Sequence, residues 1–503
     1  MTPNGTVFDF VSGAKGPLVG DVLLVPLPAK PQPPLEQVTR VDKICDDAVS
    51  ELLSVHAIRD EVGHVMHTTR GGACRRVLVV SLGDAQKLNA YEVRRAAAAA
   101  ARWLTAERMK SAILWMDALA TAGVENATAE WATGMAIAGF CFAEYKELDD
   151  KVPPKVRVAV RSSEPGHVDR VMPAVRAALT VAEAVNYARG LAHQPANVIN
   201  PTTLAAEARR LVRGTRLKCS VLAGDALRKL GMNGLRAVGA GAGHPPCLIQ
   251  IEYRGAPGSR AKTVLVGKAI TFDTGGYSIK PAAGLEGLKF DKCGGAAVFA
   301  VLRAADRLRL KCNVVGLVAA AENAISDRAY RPGDILRMMS GKTVEVISTD
   351  AEGRLVLADA LTYAQQKLNP TALIDVATLT GGVGVALGTA AAGLMSTDDD
   401  LAGDLGEAGR RTHERLWRLP LWDDYKELIK SQEADIKNST GKRDAHAIVG
   451  GMFLKEFVKE GTRWAHLDIA AVSTDENGKG PSGKGATGFG VRLLIEFLRQ
   501  RGA

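Results

Sequence analysis

The chain has 503 residues, 47% of them hydrophobic and 24% charged, with a formal net charge of +9 and seven cysteines. That length allows two domains, each with its own core, and the composition excludes a disordered or fibrous chain. The positive balance admits nucleic acid or an anionic surface as a partner. Nine charges over so large a surface make no field by themselves, however, and the densest basic stretch, Arg209 to Lys218, has no interleaved aromatics. It reads better as a solvated helix end than as a binding arm.

The cysteines (Cys45, Cys74, Cys141, Cys219, Cys247, Cys293 and Cys312) are odd in number, widely spaced and without a CxxC pair. This argues against a disulfide framework or a thiolate zinc site and fits a reducing compartment. The stretch MTPNGTVFDFVSGAKGP lacks the basic and apolar regions of a signal peptide. No apolar run is long enough to cross a bilayer, so a cytoplasmic protein is expected.

In chain order, VLLVPLP from Val22 and RRVLVVSLG from Arg75 predict strands, and YEVRRAAAAAARWLTAERMK predicts a helix. SAILWMDAL predicts a strand, ATAEWATGMAIAGFCFAEYKEL a helix and KVRVAVRS a further strand. This rhythm is that of a mostly parallel or mixed sheet. KVPP and SSEPG, between Lys151 and Pro165, mark a boundary, and a long helical pattern runs from His167 to Ala192. The expected organisation is an N-terminal α/β domain over 1–165, a connecting helix over 166–191 and a larger C-terminal domain over 192–503. In the last, CLIQIEYRG, KTVLVGK, CNVVGLVAA, KTVEVIS and TALIDVATL predict strands apolar enough for a mixed central sheet covered by helices on both faces.

Chemistry gathers in three stretches. In STDAEGRLVLADALTYA, Asp350, Glu352 and Arg354 alternate between a strand pattern and a helix pattern. If the turn is extended, they project to one side, with Gly353 helping the turn. The crevice beyond the strand ends is where α/β sheets bind ligands. Helix capping by the two acids is an equally good reading of this stretch alone. VLVGKAITFDTGGYSIKP adds Lys268, Asp273 and Lys280 around a Gly275-Gly276 pair, and GLKFDKCGG adds Asp291 before Gly294-Gly295. Four carboxylates in one crevice would raise one another's pKa. Two divalent cations would remove the conflict, and hard ligands without thiolates suit Zn, Mn, Mg or Co. Lysine ligates only as the neutral amine, so a salt bridge from Lys268 to Asp273 is the plainer alternative.

These stretches resemble the cytosol (leucyl) aminopeptidase family, peptidase family M17. Its NTDAEGRL appears as STDAEGRL, and its VGKG[IV]TFD[ST]GG…SIKP element as VGKAITFDTGGYSIKP. YRPGDILRMMSGKTVEV, DVATLTGG, LPLWDDY, WAHLDIAA and ATGFGVRLLIEFL follow in the family's order, from about Ala192 onward. The resemblance implies a leucyl aminopeptidase, a metallo-exopeptidase with two divalent ions per subunit, Zn and/or Mn with Co or Mg as alternatives. Lys268, Asp273, Asp291, Asp350 and Glu352 would be the ligands, with Asp273 and Glu352 bridging. Two ions about 3.5–4 Å apart activate a shared water as hydroxide. Lys280 would stabilise the oxyanion, and Arg354 would hold a bicarbonate general base, since a guanidinium has no basicity of its own. Leu288, Thr378, Leu379 and Gly381 would line the substrate cleft, and a homohexamer built as a dimer of trimers is implied.

Three positions depart from the family pattern. Ser348 replaces an Asn, Ala269 a Gly, and Lys292 a Met, the last implying a more positive rim beside Asp291. His64 and His67 in HVMH would pair as ligands on a helix, but a surface or core pair is the preferred reading, and His193 and His466 read as packing or hydrogen-bonding groups. The glycine runs near Gly239 and Gly381 lack a Walker lysine or a complete GxGxxG. Another two-metal hydrolase, such as a phosphoesterase, and an additional DNA-binding role are the alternatives that remain.

Overall fold

The computed structural model describes residues 7–13, 20–30, 35–69, 74–120, 123–146, 153–478 and 480–501; MTPNGT and the first two residues of KVPP lie outside them. The chain divides into two compact units, Met1–Asn186 with Asn477–Lys484, and Tyr187–Glu476 with Gly485–Ala503. The division falls inside the long helix His167–His193.

The first unit holds strands β1 (Phe8–Ser12), β2 (Gly20–Leu27), β3 (Val65–Thr68), β4 (Cys74–Ser81), β5 (Ser111–Trp115) and β6 (Val156–Arg161). They form one sheet in the order β1-β6-β5-β2-β4-β3, parallel except at β3. The alanine-rich pattern forms the helix Ala90–Ala106, with Asn89 accepting bonds from the backbone N–H groups of Tyr91 and Glu92. Its small side chains let the helix Ala127–Ala138 approach closely, and a Cβ at Gly134 would lie 2.5 Å from the Arg94 carbonyl oxygen. That second helix stops at Ala138, not at Leu148 as its pattern predicts. The chain at Gly139 passes against the Phe8 ring, 2.7 Å from where a Cβ would stand, and leaves the helix there. The HVMH stretch is not helical: Val65–Thr68 form a strand with His64 just before it, and the His67 ring packs on Trp103.

The second unit adds β7 (Lys218–Ala223), β8 (Cys247–Arg254), β9 (Thr263–Asp273), β10 (Asn313–Asn323), β11 (Ile335–Arg337), β12 (Thr343–Glu345), β13 (Ala372–Ala377), β14 (Ala392–Ser396), β15 (Leu416–Arg418), β16 (Ile436–Lys437) and β17 (Trp464–Asp468). Eight of them make a mixed sheet in the order β15-β14-β17-β13-β9-β10-β8-β7, while β11, β12 and β16 form a small one. The four central strands β17, β13, β9 and β10 are parallel. Alternation along β9 separates two layers. Val264, Val266 and Ile270 enter the core containing Leu355, Leu357 and Leu361 of the helix Glu352–Tyr363. Gly267 faces the helix Cys293–Leu308 on the other side, where Gly295 Cα would lie 2.6 Å from a Cβ at Gly267. Lys268 has the parity of Val264 and Val266, so it points at the helix that carries Glu352. This is the mixed, double-covered α/β sheet that the strand composition predicts, except that KTVEVIS, as β12, pairs in the small sheet instead.

Phe299 is fully buried in the helix Cys293–Leu308. Phe299→Ala should cost about 3–5 kcal/mol, read as a lowered denaturant midpoint at unchanged slope.

Candidate metal centre

The parallel strands place the chemistry at their carboxyl ends. Asp273 is the last residue of β9, and Asn323 the last of β10. Thr378 follows β13, and Asp468 ends β17. Asp291 lies in the 3-10 turn Glu286–Lys292, and Glu352 opens the helix Glu352–Tyr363.

One carboxylate oxygen each from Asp273, Asp350 and Glu352 lies within 4.8 Å of the others, the one such group among the described residues. Lys268 and Asp291 join through Glu352. The Lys268 Nζ stands 2.8 Å from Glu352 Oε1 and 2.9 Å from Asp291 Oδ1, and donates to the Thr378 carbonyl oxygen at 2.8 Å. Lys268 thus pairs with Asp291 and Glu352 and not, as the plainer reading had it, with Asp273. Lys280 Nζ takes that place, 2.9 Å from Asp273 Oδ2, and also pairs with Asp350. Asp273 Oδ1 accepts from Gly275 N at 2.9 Å and from Asn323 Nδ2 at 2.8 Å, which fixes its plane.

The turn does not work by extended alternation. Glu352 and Arg354 already belong to the helix, and only Asp350 precedes it. Nor does Gly353 serve the turn. A Cβ there would lie 2.7 Å from both Cε and Nζ of Lys268, so its missing side chain makes room for that lysine. Asn438 holds the segment in place. Its Oδ1 accepts from Ile347 N at 2.8 Å and Ser348 N at 3.2 Å, and its Nδ2 donates to the Ser348 carbonyl at 2.7 Å. Arg354 turns away from the acids and donates to the Asn438 carbonyl at 2.6 Å, leaving its buried Nε without a partner.

Electrostatics agree with an excess of acid. Burial, helped by Glu352 and opposed by Lys280, pushes Asp350 up to about 6. Burial against the pull of Lys268 takes Asp291 up to about 8, and burial also raises Asp273, with Glu352 adding to it. Glu352 stays low because Lys268 and Lys280 outweigh its burial. Lys268 and Lys280 are held protonated, since the surrounding carboxylates overcome the burial that would discharge them. Two buried oxygens, Asp291 Oδ2 and Glu352 Oε2, have no hydrogen-bond partner. Unpaired buried carboxylate oxygens beside an oxygen-rich, thiolate-free cluster fit hard divalent cations.

The remaining residues flank this cluster. Thr378 Oγ1 donates to Asp291 Oδ1 at 2.6 Å. Leu379 is half-buried, Gly381 is exposed at the start of the helix Gly381–Leu387, and Leu288 is half-buried on the turn that carries Asp291. Asp468 shapes this loop by accepting from Leu379 N at 3.1 Å and Thr380 Oγ1 at 2.6 Å.

The profile of the cytosol aminopeptidase family, catalytic domain, matches residues 186–495, and that of the family's N-terminal domain matches residues 25–148. The chain belongs to the cytosol aminopeptidase family. It is 45% identical over 427 residues to a probable cytosol aminopeptidase of Geotalea uraniireducens (strain Rf4), covering 84% of this chain and 85% of that one. The Geobacter sulfurreducens relative is 42% identical over 475 residues, 93% and 94% of the two chains. Among solved structures, the bottromycin maturation enzyme BotP in complex with Mn superposes with a TM-score of 0.85 at 33% identity, over 96% of this chain and 100% of that one. Membership makes the chain a peptidase hydrolase of the metal-dependent aminopeptidase kind.

The departures from the family pattern have local reasons. The Ala269 methyl fits because position 295 is glycine, whose Cβ would stand 2.8 Å from it. Lys292 does not make the rim positive. It is buried, and its Nζ donates to the carbonyls of Gln194, at 2.9 Å, and Lys289. Ser348 Oγ accepts from Asp350 N at 3.2 Å and so serves the turn itself. His193 Nε2 accepts from Ala486 N at 3.2 Å, and His466 Nδ1 pairs with buried Asp375 at 2.5 Å, as hydrogen-bonding histidines. Sequence reasoning missed Asn323, Asn438 and Asp468, whose only signal was their place at strand ends.

Gly353→Ala should displace Lys268 and lower the bound metal per chain, measured by elemental analysis, while the circular dichroism spectrum is kept.

Proposed function

We propose that the chain is a two-metal leucyl-type aminopeptidase that releases N-terminal residues, Leu and similar, from peptides. The convergence of Asp273, Asp350 and Glu352 on one point, with Asp291 linked through Lys268, carries the reading. Lys268, Asp273, Asp291, Asp350 and Glu352 would hold the ions, with Zn or Mn preferred over Co or Mg. Bound ions supply Lewis acidity, lowering the pKa of a water and polarising the peptide carbonyl. Lys268 must shed its proton to act as a ligand, so loading releases protons.

Lys280 is half-buried, and its ammonium donates into the carboxylate cluster. Placed there, this cation would meet the charge that develops on the carbonyl oxygen. Arg354 is 2% exposed and gives one hydrogen bond to a carbonyl, none to an acid. A buried guanidinium so placed suits a small planar anion, and bicarbonate would act there as the proton acceptor that arginine cannot be. Leu288, Thr378, Leu379 and Gly381 would contact the substrate's first residue. A homohexamer built as a dimer of trimers is the proposed assembly.

Metal-free chain reloaded with Zn, Mn, Co or Mg should hydrolyse Leu-p-nitroanilide and Leu dipeptides but not their N-acetyl forms. Turnover of phosphoesters instead would reject the reading. Asp350→Ala and Glu352→Ala should each lower kcat at least about a thousandfold, roughly 4 kcal/mol. Lys280→Ala should lower kcat by about a hundredfold with metal content unchanged. Light scattering should give six times the 53.2 kDa chain mass.

A further inference from the structure

His446 takes no part in the chemistry above, yet it stands beside its anion site. It opens the helix His446–Lys455, one turn before Gly450, and residues four apart share a helix face. A Cβ at Gly450 would lie 3.0 Å from Leu379 Cδ2 and Thr380 Cγ2, and 3.7 Å from Arg354 Nη2. A Cβ at Gly382 would lie 2.7 Å from His446 Cβ and 3.0 Å from His446 Nδ1. This face therefore runs along residues 379–382 and the Arg354 guanidinium, and His446 continues it toward the surface, half-buried.

The guanidinium is the site's second observation. It is buried, bonded to one carbonyl, and keeps an Nε with no partner. Burial lowers the His446 pKa, Arg354 lowers it further, and Asp468 pulls the other way. The turn Asp423–Ile429, packed on the helix His446–Lys455, brings Asp423, Asp424, Lys426 and Glu427, with Asp423 against Lys455 at that helix's other end. The charged groups acting on the imidazole are Arg354 of the helix Glu352–Tyr363 and Asp468 at the end of β17. Its own loop adds the exposed Lys442, Arg443 and Asp444. The helix Gly381–Leu387, packed against it, carries no titratable side chain.

We propose that His446 is the second basic group of the Arg354 anion site, donating a hydrogen bond as imidazolium to the carbonate-sized oxyanion that the guanidinium holds. The proposal rests on the reading of Arg354 given above. An unshielded guanidinium opposes protonation of the neighbouring ring; an anion between them reverses the sign of that interaction. Binding therefore takes up a proton from solvent, and no covalent bond changes. Affinity is highest where the bound-state imidazole is protonated and falls as pH rises through its raised pKa. His446 acts through the anion and is a positioning residue.

Bicarbonate binding to the Mn-loaded full chain tests this, by calorimetry in two buffers of different ionisation enthalpy at pH 6.5 to 8.5. The wild type should take up protons on binding. His446→Gln, which keeps a donor but cannot titrate in this range, should take up fewer protons than the wild type, the difference removing bicarbonate's own protonation from the balance, and bind about tenfold more weakly at the acid end, the equivalent of about one pKa unit. The two proteins should converge at the alkaline end. Equal affinity and equal proton uptake in both would overturn the proposal, as would a wild type that binds no bicarbonate. His446→Asn and thermal melts guard against a folding defect. Because the readout is binding, it is separate from the peptidase reading, which fails only if Leu-p-nitroanilide is not cleaved.

Discussion

A surplus of buried negative charge organises the second unit. Four carboxyl groups from three segments meet two ammonium groups, with Asp273, Asp291, Glu352 and Lys268 buried and Asp350 and Lys280 at the cluster's open side. Such a cluster is unstable as a set of free anions and is relieved by proton uptake or by cations. The surrounding structure resists the first remedy in part, since Lys268 and Lys280 keep Glu352 ionised. It leaves two carboxylate oxygens unpaired, which is what the second remedy needs.

Holding such charges close demands rigid supports, and these are mostly uncharged. Asn323 fixes Asp273 from the neighbouring strand, and Asn438 ties down the segment before Glu352. Glycines supply the space. Gly353 admits the Lys268 ammonium, while Gly294 lets its helix approach β13, where a Cβ would stand 2.1 Å from the Val376 carbonyl. Asp468 plays a related part for the loop after β13, holding Leu379 and Thr380 by their backbone and hydroxyl groups. The asparagines and glycines are neutral, so they position the acids without adding to their repulsion.

Arg354 follows a different rule. It is the cation in the STDAEGRL stretch, yet its guanidinium bonds the Asn438 carbonyl instead of the neighbouring acids. A guanidinium spent on Asp350 or Glu352 would compete with a cation for their oxygens. Turned aside, it leaves the carboxylates to the lysines and keeps hydrogen-bonding capacity of its own, next to the half-buried His446.

The sequence by itself determined the elements and the cast of the site. Continuous apolar runs such as CLIQIEYRG and KTVLVGK marked the strands of the second unit, because a strand buried on both faces must be apolar throughout. The quoted motifs carried the family and named the acids and lysines at β9 and the following helices. Only the tertiary structure decided who pairs with whom. Lys268 meets Asp291 and Glu352 instead of Asp273 because strand parity aims it at the helix carrying Gly353. Lys292, charged and adjacent to Asp291, goes inward to backbone carbonyls, and the HVMH stretch runs into a strand instead of a helix. Asn323, Asn438, Asp468 and His446 were invisible for the same reason. Their importance comes from long-range contacts, and no local pattern in the chain records which strand end will face which loop.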